Sequence, residues 1–337
     1  MCATMISPQQ DFWTITTYFN LANSSKRLRN YRCFRRRLTG PLLTVEWHPH
    51  QRFQLKSGDA DLLLQIGGGD FMWQKERLLR TAIAALPDYV KYVAWVDCDI
   101  LFKNQDWKDE ARGLLHNNPV IQLFSEVACP DEAESKLLVD SPEHLDDVDS
   151  AQRSARESFL SMFRRLKEDV VRFDLDRRFE PDGISSNNIM KRPAHGFAWA
   201  AQSAFVRKIG VYDRCIMGAG DMLFCYGVTG LGQRLIDSQK AAGWAFYGDC
   251  QSYRSWASQT AEACAGRWGC IGGRILHLFH GSLQDRQYRS RIGGLVPFAI
   301  DLDQDLSGAP GEPWSWRRDQ DALNEYFLNY MHGRKEG

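Results

Sequence analysis

Apolar residues in the first 128 positions fall into short blocks separated by polar or glycine-rich stretches. Residues 12–19, 42–47, 61–66, 92–96 and 119–124 are apolar or β-branched runs of strand length. Blocks of this kind read as strands buried on both faces. Between them, residues 27–38 form a basic helical stretch entered through a turn or cap at 20–25. Residues 73–86 carry Leu78, Leu79, Ile83 and Leu86 at helical spacing. Strands alternating with helices predict an α/β fold: a mostly parallel, Rossmann-like sheet flanked by helices. Ligands of such sheets bind at the carboxyl ends of strands.

The pattern changes after Cys129. Residues 130–150 are acidic and loop-like. Residues 154–173 predict one charged amphipathic helix with Phe159, Leu160, Phe163, Leu166 and Val170 on a common face. This stretch is expected to be an insertion within a single domain. Residues 195–204 are small and aromatic and lead into a helix near Phe205. Gly218-Ala219-Gly220-Asp221 opens another helix, residues 274–281 form a short strand ending in histidines, and 319–331 return to helical spacing at Leu323, Tyr326, Phe327 and Tyr330.

Composition narrows the class. The chain has 337 residues, 44% hydrophobic and 25% charged, enough for a real core. Lys+Arg and Asp+Glu are both 42, so net charge points to no polyanionic partner. Lys26, Arg27, Arg29, Arg32, Arg35, Arg36 and Arg37 are a local basic cluster. The nine cysteines are irregularly spaced and read as reduced thiols rather than a disulfide framework, and Cys264 with Cys270 makes no zinc pattern. The start lacks a signal pattern and no apolar run is long enough to span a membrane. The expected location is cytoplasmic. The eleven tryptophans suit core packing, or stacking on sugars and bases.

The chemistry concentrates in Asp97-Cys98-Asp99, where the 92–96 run ends. Two carboxylates at the end of a buried strand cost several kcal/mol when unpaired, and a hard cation such as Mn²⁺ or Mg²⁺ resolves that cost and also binds phosphates. Asp301-Leu302-Asp303-Gln304-Asp305 matches the same triplet within a polar stretch and reads as a solvated loop. His277 and His280 are candidate metal ligands, His280 first. Arg286, Arg289 and Arg291 follow and either neutralise phosphates or form a solvated face. Asp221 is a candidate general base or a helix cap. Gly67-Gly68-Gly69-Asp70 lacks phosphate-loop spacing and reads as a strand–helix turn. Lys75 and Arg80 just beyond it are candidate nucleotide contacts.

Taken in order, these motifs resemble GT-A glycosyltransferases. Asp97-Cys98-Asp99 resembles their D-x-D motif. His195-Gly196-Phe197-Ala198-Trp199-Ala200 resembles their donor and acceptor loop, and Gly218-Ala219-Gly220-Asp221 their glycine-rich loop ending in the base. His277 and His280 are similar to the ligand pair of β-1,4-galactosyltransferase-like enzymes. The resemblance covers roughly residues 12–292 and implies a GT-A-type fold: a nucleotide-binding half (12–128), a helical insertion (130–192) and an acceptor half (193–292) in one domain (1–292), with 293–337 packing on it. It also implies that Thr16, Thr17 and Glu46 lie near the nucleoside. Asp99 would bind metal directly and Asp97 the ribose or the metal shell. Asp221 would be the catalytic base, and Gly196, Phe197, Trp199 and Gly220 would meet substrate. The implied activity is transfer of a sugar from a nucleotide sugar, UDP-linked, to an acceptor hydroxyl with inversion. Because lumenal eukaryotic members usually carry an anchor, a bacterial, phage or viral context, or a truncated chain, is expected. The alternatives are a nucleotidyltransferase or phosphohydrolase, a glycosyltransferase acting on hydroxymethylated bases in DNA, and a non-catalytic nucleic-acid-binding protein whose basic segment 26–37 meets phosphates.

Overall fold

A computed structural model describes residues 10–145, 155–175, 192–241, 250–282, 285–287 and 290–336. The strands of the two larger sheets are β1 (Phe12–Tyr18), β2 (Leu42–Trp47), β3 (Leu62–Ile66), β4 (Tyr92–Val96), β5 (Ile100–Phe102), β6 (Val120–Gln122), β7 (Glu126–Ala128), β8 (Arg156–Glu157), β9 (Ala198–Gln202), β10 (Trp268–Cys270) and β11 (Arg274–His277). Seven of them form the main sheet in the order β10-β6-β9-β4-β1-β2-β3. All its pairings are parallel except those of β9, which runs antiparallel to β4 on one side and β6 on the other.

Alternate residues of the central strands feed separate cores. Trp13 and Ile15 of β1, with Val93 and Trp95 of β4, join one cluster, while Phe12, Ala94 and Val96 join the other. Both faces are therefore covered, which is why these strands read as continuous apolar runs. Trp95 and Trp199 stack with centroids 6.3 Å apart across the β4–β9 pair.

A second, four-stranded sheet in the order β5-β11-β7-β8 lies where the main sheet's strands end. Its register matters for function. His277 of β11 pairs with Ile100 of β5, and the Leu278 amide donates to the Asp99 carbonyl at 3.0 Å. The hydrogen-bond ladder thus brings the histidines to the acidic turn.

Two sequence expectations are corrected here. Within residues 154–173, of which Ser154 lies outside the described residues, there is no single helix. Arg156–Glu157 pairs with β7, Ser158 caps a helix at Phe159–Leu166, and the chain breaks at Lys167, whose φ is +51°. Residues 130–150 are not all loop: Asp131 and Glu134 form a reciprocal capping box that starts the Glu132–Asp140 helix. The Asp321–Gly333 helix buries Leu323, Phe327, Tyr330 and Met331 in the larger core cluster. Gly69, at φ +77°, lets Pro313 and Trp314 approach, and the Asp70 amide donates to the Trp314 carbonyl. Among the described residues, no helix is long and apolar enough to cross a membrane, and the eight described cysteines are free thiols.

Candidate active site

Where β4 ends, the chain turns sharply into β5, and this turn is the floor of a cavity of about 250 Å³. Asp97 and Asp99 both line it, but they have different partners. The Asp97 carboxylate lies 2.7 Å from the Lys75 ammonium. Asp99 faces the histidines, with Oδ1 3.5 Å from His277 Nε2 and Oδ2 3.2 Å from His280 Nε2. The two imidazole Nε2 atoms are 3.2 Å apart. Asp99, His277 and His280 each offer one ligand atom within 4.8 Å of the others, and all three are buried.

This cluster fits a divalent cation. Asp99 Oδ1 is buried and makes no hydrogen bond, its compensation coming from the His277 imidazole 3.5 Å away, so its lone pairs stay open to a ligand. One carboxylate oxygen and two imidazole nitrogens form a donor set for a divalent ion, and by donor type Mn²⁺, Fe²⁺ and Zn²⁺ all fit it. Burial opposes ionisation of Asp99, but His277 and His280 outweigh it and hold the carboxyl well below the usual range. Burial also pushes both imidazoles down. For His277 the Asp99 charge prevails and brings it up to about 9, whereas Arg286 beside His280 adds to burial and brings it down to about 3.

Across the cavity, Lys75 is a hub. Its ammonium also lies 3.1 Å from Asp221 Oδ2, so one cation bridges the first acidic residue and the candidate base. Burial opposes its charge, yet Asp221 and Asp97 hold it well above an ordinary lysine. Asp221 sits in the first turn of the Gly220–Val228 helix, entered through Ala219 at φ +74°. Two glycines make the arrangement possible. A Cβ on Gly196 would come 2.4 Å from Asp221 Oδ2, and one on Gly220 would come 2.1 Å from Glu76 Oε1.

The remaining sequence candidates divide. Thr17, Gly196 and Phe197 line the cavity with the acidic residues; Phe197, at φ +76°, packs its ring 5.0 Å from His277 and accepts the Asp97 amide on its carbonyl. Gly220 adjoins the cavity through Glu76. Thr16, Glu46 and Trp199 do not line it. Thr16 donates to the Val96 carbonyl at 2.6 Å. Glu46 accepts the amides of Gln54 and Leu55 and the amide group of Gln65, holding the 54–55 loop. Trp199 is buried between the Trp95 and Phe224 rings with its indole nitrogen on the His195 carbonyl. Arg80 turns away to Asp213 and the Val211 carbonyl. Arg286 and Arg291 line the cavity, and Arg289 lies outside the described residues. Asp303 is 51 residues from its main partner: it accepts the Ser252 amide at 3.2 Å in the first turn of the Gln251–Cys264 helix, and the Ser252 hydroxyl.

Some cavity residues carried no motif. Trp73 is half-buried on the rim, its ring crossed by Phe19 and Arg334. Glu76 is buried with Oε2 unpartnered, and burial raises its carboxyl to about 8. His195 and Arg192 enter from beside the insertion. Both are held by the fully buried Asp174, at 2.7 Å and 2.8 Å, which also accepts the Tyr226 hydroxyl. His195 opens the 195–200 motif, whereas Arg192 carries none; Asp174, 18 and 21 positions away, is what joins the two. Seven cationic side chains (Arg27, Lys75, Arg156, Arg192, Arg286, Arg291, Arg334) face four carboxylates (Glu76, Asp97, Asp99, Asp221) across the cavity, a balance that favours a polyanionic ligand.

No family model matches the chain, and no curated protein sequence matches it. Solved structures give distant likenesses. The UDP complex of S. aureus TarS residues 1–349 is 12% identical with a TM-score of 0.37 over 65% of this chain, which spans about half (54%) of that one. Glucosyl-3-phosphoglycerate synthase from Mycobacterium tuberculosis, in complex with Mn²⁺, UDP-glucose and phosphoglyceric acid, is 11% identical with a TM-score of 0.37, covering 89% of this chain and 83% of that one. The functional assignment therefore stands on the side chains of the cavity.

Proposed function

We propose that this chain is a metal-dependent GT-A glycosyltransferase that moves a sugar from a nucleoside-diphosphate sugar, UDP-linked, to an acceptor hydroxyl with inversion. The observation that carries the proposal is the buried Asp99–His277–His280 cluster at the floor of a cation-lined cavity that also holds Asp221. Asp99, His277 and His280 would hold the divalent cation, which when bound would supply Lewis-acid stabilisation of charge on a leaving diphosphate. Arg286 and Arg27 stand beside the cluster and add fixed positive charge toward the same phosphates. Trp73 and Thr17, which line the cavity, would meet the nucleoside, and Asp97 the ribose or the metal shell.

Asp221 is the base. It takes the acceptor hydroxyl's proton as the new bond from that oxygen to the sugar's anomeric carbon forms and the bond from that carbon to the diphosphate oxygen breaks. One displacement of this kind inverts the anomeric centre. Lys75 holds Asp221 and Asp97 at a fixed spacing, so donor and acceptor sides are positioned by one side chain.

The test is thermal melting with a panel of nucleotide sugars, with and without Mn²⁺. A ligand bound only by the folded state raises the midpoint. At least one nucleotide sugar is expected to do so in a Mn²⁺-dependent way, with nucleoside diphosphate released once acceptor is supplied. If none shifts the midpoint with metal present, the proposal fails.

A further inference from the structure

The His280 imidazole has a partner on each nitrogen. Nε2 lies 3.0 Å from the Arg286 guanidinium. A guanidinium only donates, so Nε2 presents its lone pair and the ring proton sits on Nδ1. Nδ1 lies 3.0 Å from Glu336 Oε1, a carboxylate that only accepts. Nε2 also lies 3.2 Å from Asp99 Oδ2 and 3.2 Å from His277 Nε2, so its own surroundings are mixed, and the Nδ1 contact to Glu336, which only accepts, decides the tautomer.

Glu336 is itself tied down. Arg27 lies 3.0 Å from its Oε2, the Arg334 Nε donates to Oε1 at 2.7 Å, and the Ser24 hydroxyl donates to its backbone carbonyl at 2.5 Å. These restraints come from the start of the Ser25–Arg37 helix and from the residues after the Asp321–Gly333 helix. Gly281, directly after His280, makes the approach possible. Its φ is +122°, and a Cβ there would come 2.9 Å from the Arg334 carbonyl and 3.5 Å from Glu336 Cγ.

We propose that Glu336 is a positioning residue for the candidate metal site: by accepting the Nδ1 proton of His280 it fixes the ring so that Nε2 faces Asp99. The lone pair that Arg286 meets is the one a cation would take. A carboxylate behind a ligating histidine fixes its tautomer and raises its basicity. Nothing in the local sequence links the two residues, which are 56 positions apart. The inference rests on reading Asp99, His277 and His280 as a divalent-cation site.

Mn²⁺ titration of the full chain, followed by electron paramagnetic resonance of the free ion, tests it. Glu336→Ala is expected to weaken Mn²⁺ binding roughly 10–100-fold. Glu336→Gln, whose amide oxygen still accepts, is expected to recover most of that loss. A role in folding alone would not produce this graded recovery. The second measurement needs no variant at the tested position. Long-range ¹⁵N–¹H correlation of the metal-free protein, with His280 identified through His280→Asn, is expected to show its proton on Nδ1. A proton on Nε2, or a Glu336→Ala protein that binds Mn²⁺ as the unaltered one does, overturns the inference and leaves the metal reading standing. If the unaltered protein binds no Mn²⁺, both are overturned.

Discussion

Single side chains set the electrostatics of the cavity, and their removal should be measurable. Lys75→Met leaves Asp97 and Asp221 facing each other without their cation. Those carboxylates are about one-third exposed, so the expected loss at pH 7 is about 2 kcal/mol, below the cost of breaking a fully buried pair. Denaturant unfolding checks this, and the loss should shrink in acid, where the carboxylates protonate. Glu76 behaves in the opposite sense. Burial raises its carboxyl to about 8 in the folded chain, so the folded state holds a proton that the unfolded state releases near its ordinary value of about 4.3. Its contribution to stability is complete below that value and is lost as pH rises to about 8. Glu76→Gln should therefore be more stable than the unaltered chain by about 1–3 kcal/mol at pH 8, with no such gain at pH 4. A melting series across that range would refute this if the two curves ran parallel. Gly196→Ala drives a methyl into Asp221. It should cost about 1–3 kcal/mol and, because it displaces the proposed base, reduce the proposed transfer far more than nucleotide-sugar binding; steady-state kinetics beside a melting assay separates the two effects.

At the scale of elements, the contrast between two acidic triplets shows what a sequence can and cannot reveal. Asp97-Cys98-Asp99 stood out because it ends an apolar run, and β4 ends there. The histidines stood out by spacing, but the β5–β11 register that delivers them to Asp99 is a pairing between residues 177 positions apart, His277 and Ile100, and no local pattern encodes it. The 301–305 triplet looked like a solvated loop, and its middle carboxylate instead satisfies a helix terminus. Asp303→Ala should thus lower stability by about 1 kcal/mol, as other lost caps do, and leave the Mn²⁺-dependent nucleotide-sugar shift intact, whereas Asp99→Ala should abolish that shift. Parallel melting of the two variants decides this. Strands 42–47 and 92–96 were legible to the residue because burial on both faces imposes mostly apolar and β-branched runs, broken only by Glu46. The Glu132–Asp140 helix was missed: its acidic composition reads as loop, and the Asp131–Glu134 box was the signal that marks its start. The break at Lys167 was not, since nothing about a lysine announces a positive φ.

For the molecule as a whole, neutral net charge hides a strongly uneven distribution. Cations collect in the cavity, while several of those on the Ser25–Arg37 helix are spoken for: Lys26 by Glu132, Arg32 by Asp59, Arg35 by Asp61 and Arg36 by the Val139 carbonyl. Arg27, from the same helix, points to Glu336 and lines the cavity. A helix engaged this way offers few free charges to a nucleic-acid backbone. Polynucleotide affinity is therefore expected to be weak and to change little in a salt series, and a steep salt slope would revive the nucleic-acid reading.

The lone antiparallel strand in the main sheet has a consequence for how the molecule is made. Strands β1 to β4 can assemble from the first 96 residues, but β9 must then slot between β4 and β6. Until residue 202 has left the ribosome, the Val93 and Trp95 edge has no hydrogen-bonding neighbour and a nascent chain carries an open, apolar seam. Closing it demands a contact across more than 100 residues, which is slow. The acidic turn lies at the end of that seam, with the Asp97 amide held by the Phe197 carbonyl. The floor of the cavity is consequently among the last parts of the protein to take shape during synthesis, and the Asp99–His277–His280 cluster comes together only after the central strand is in place.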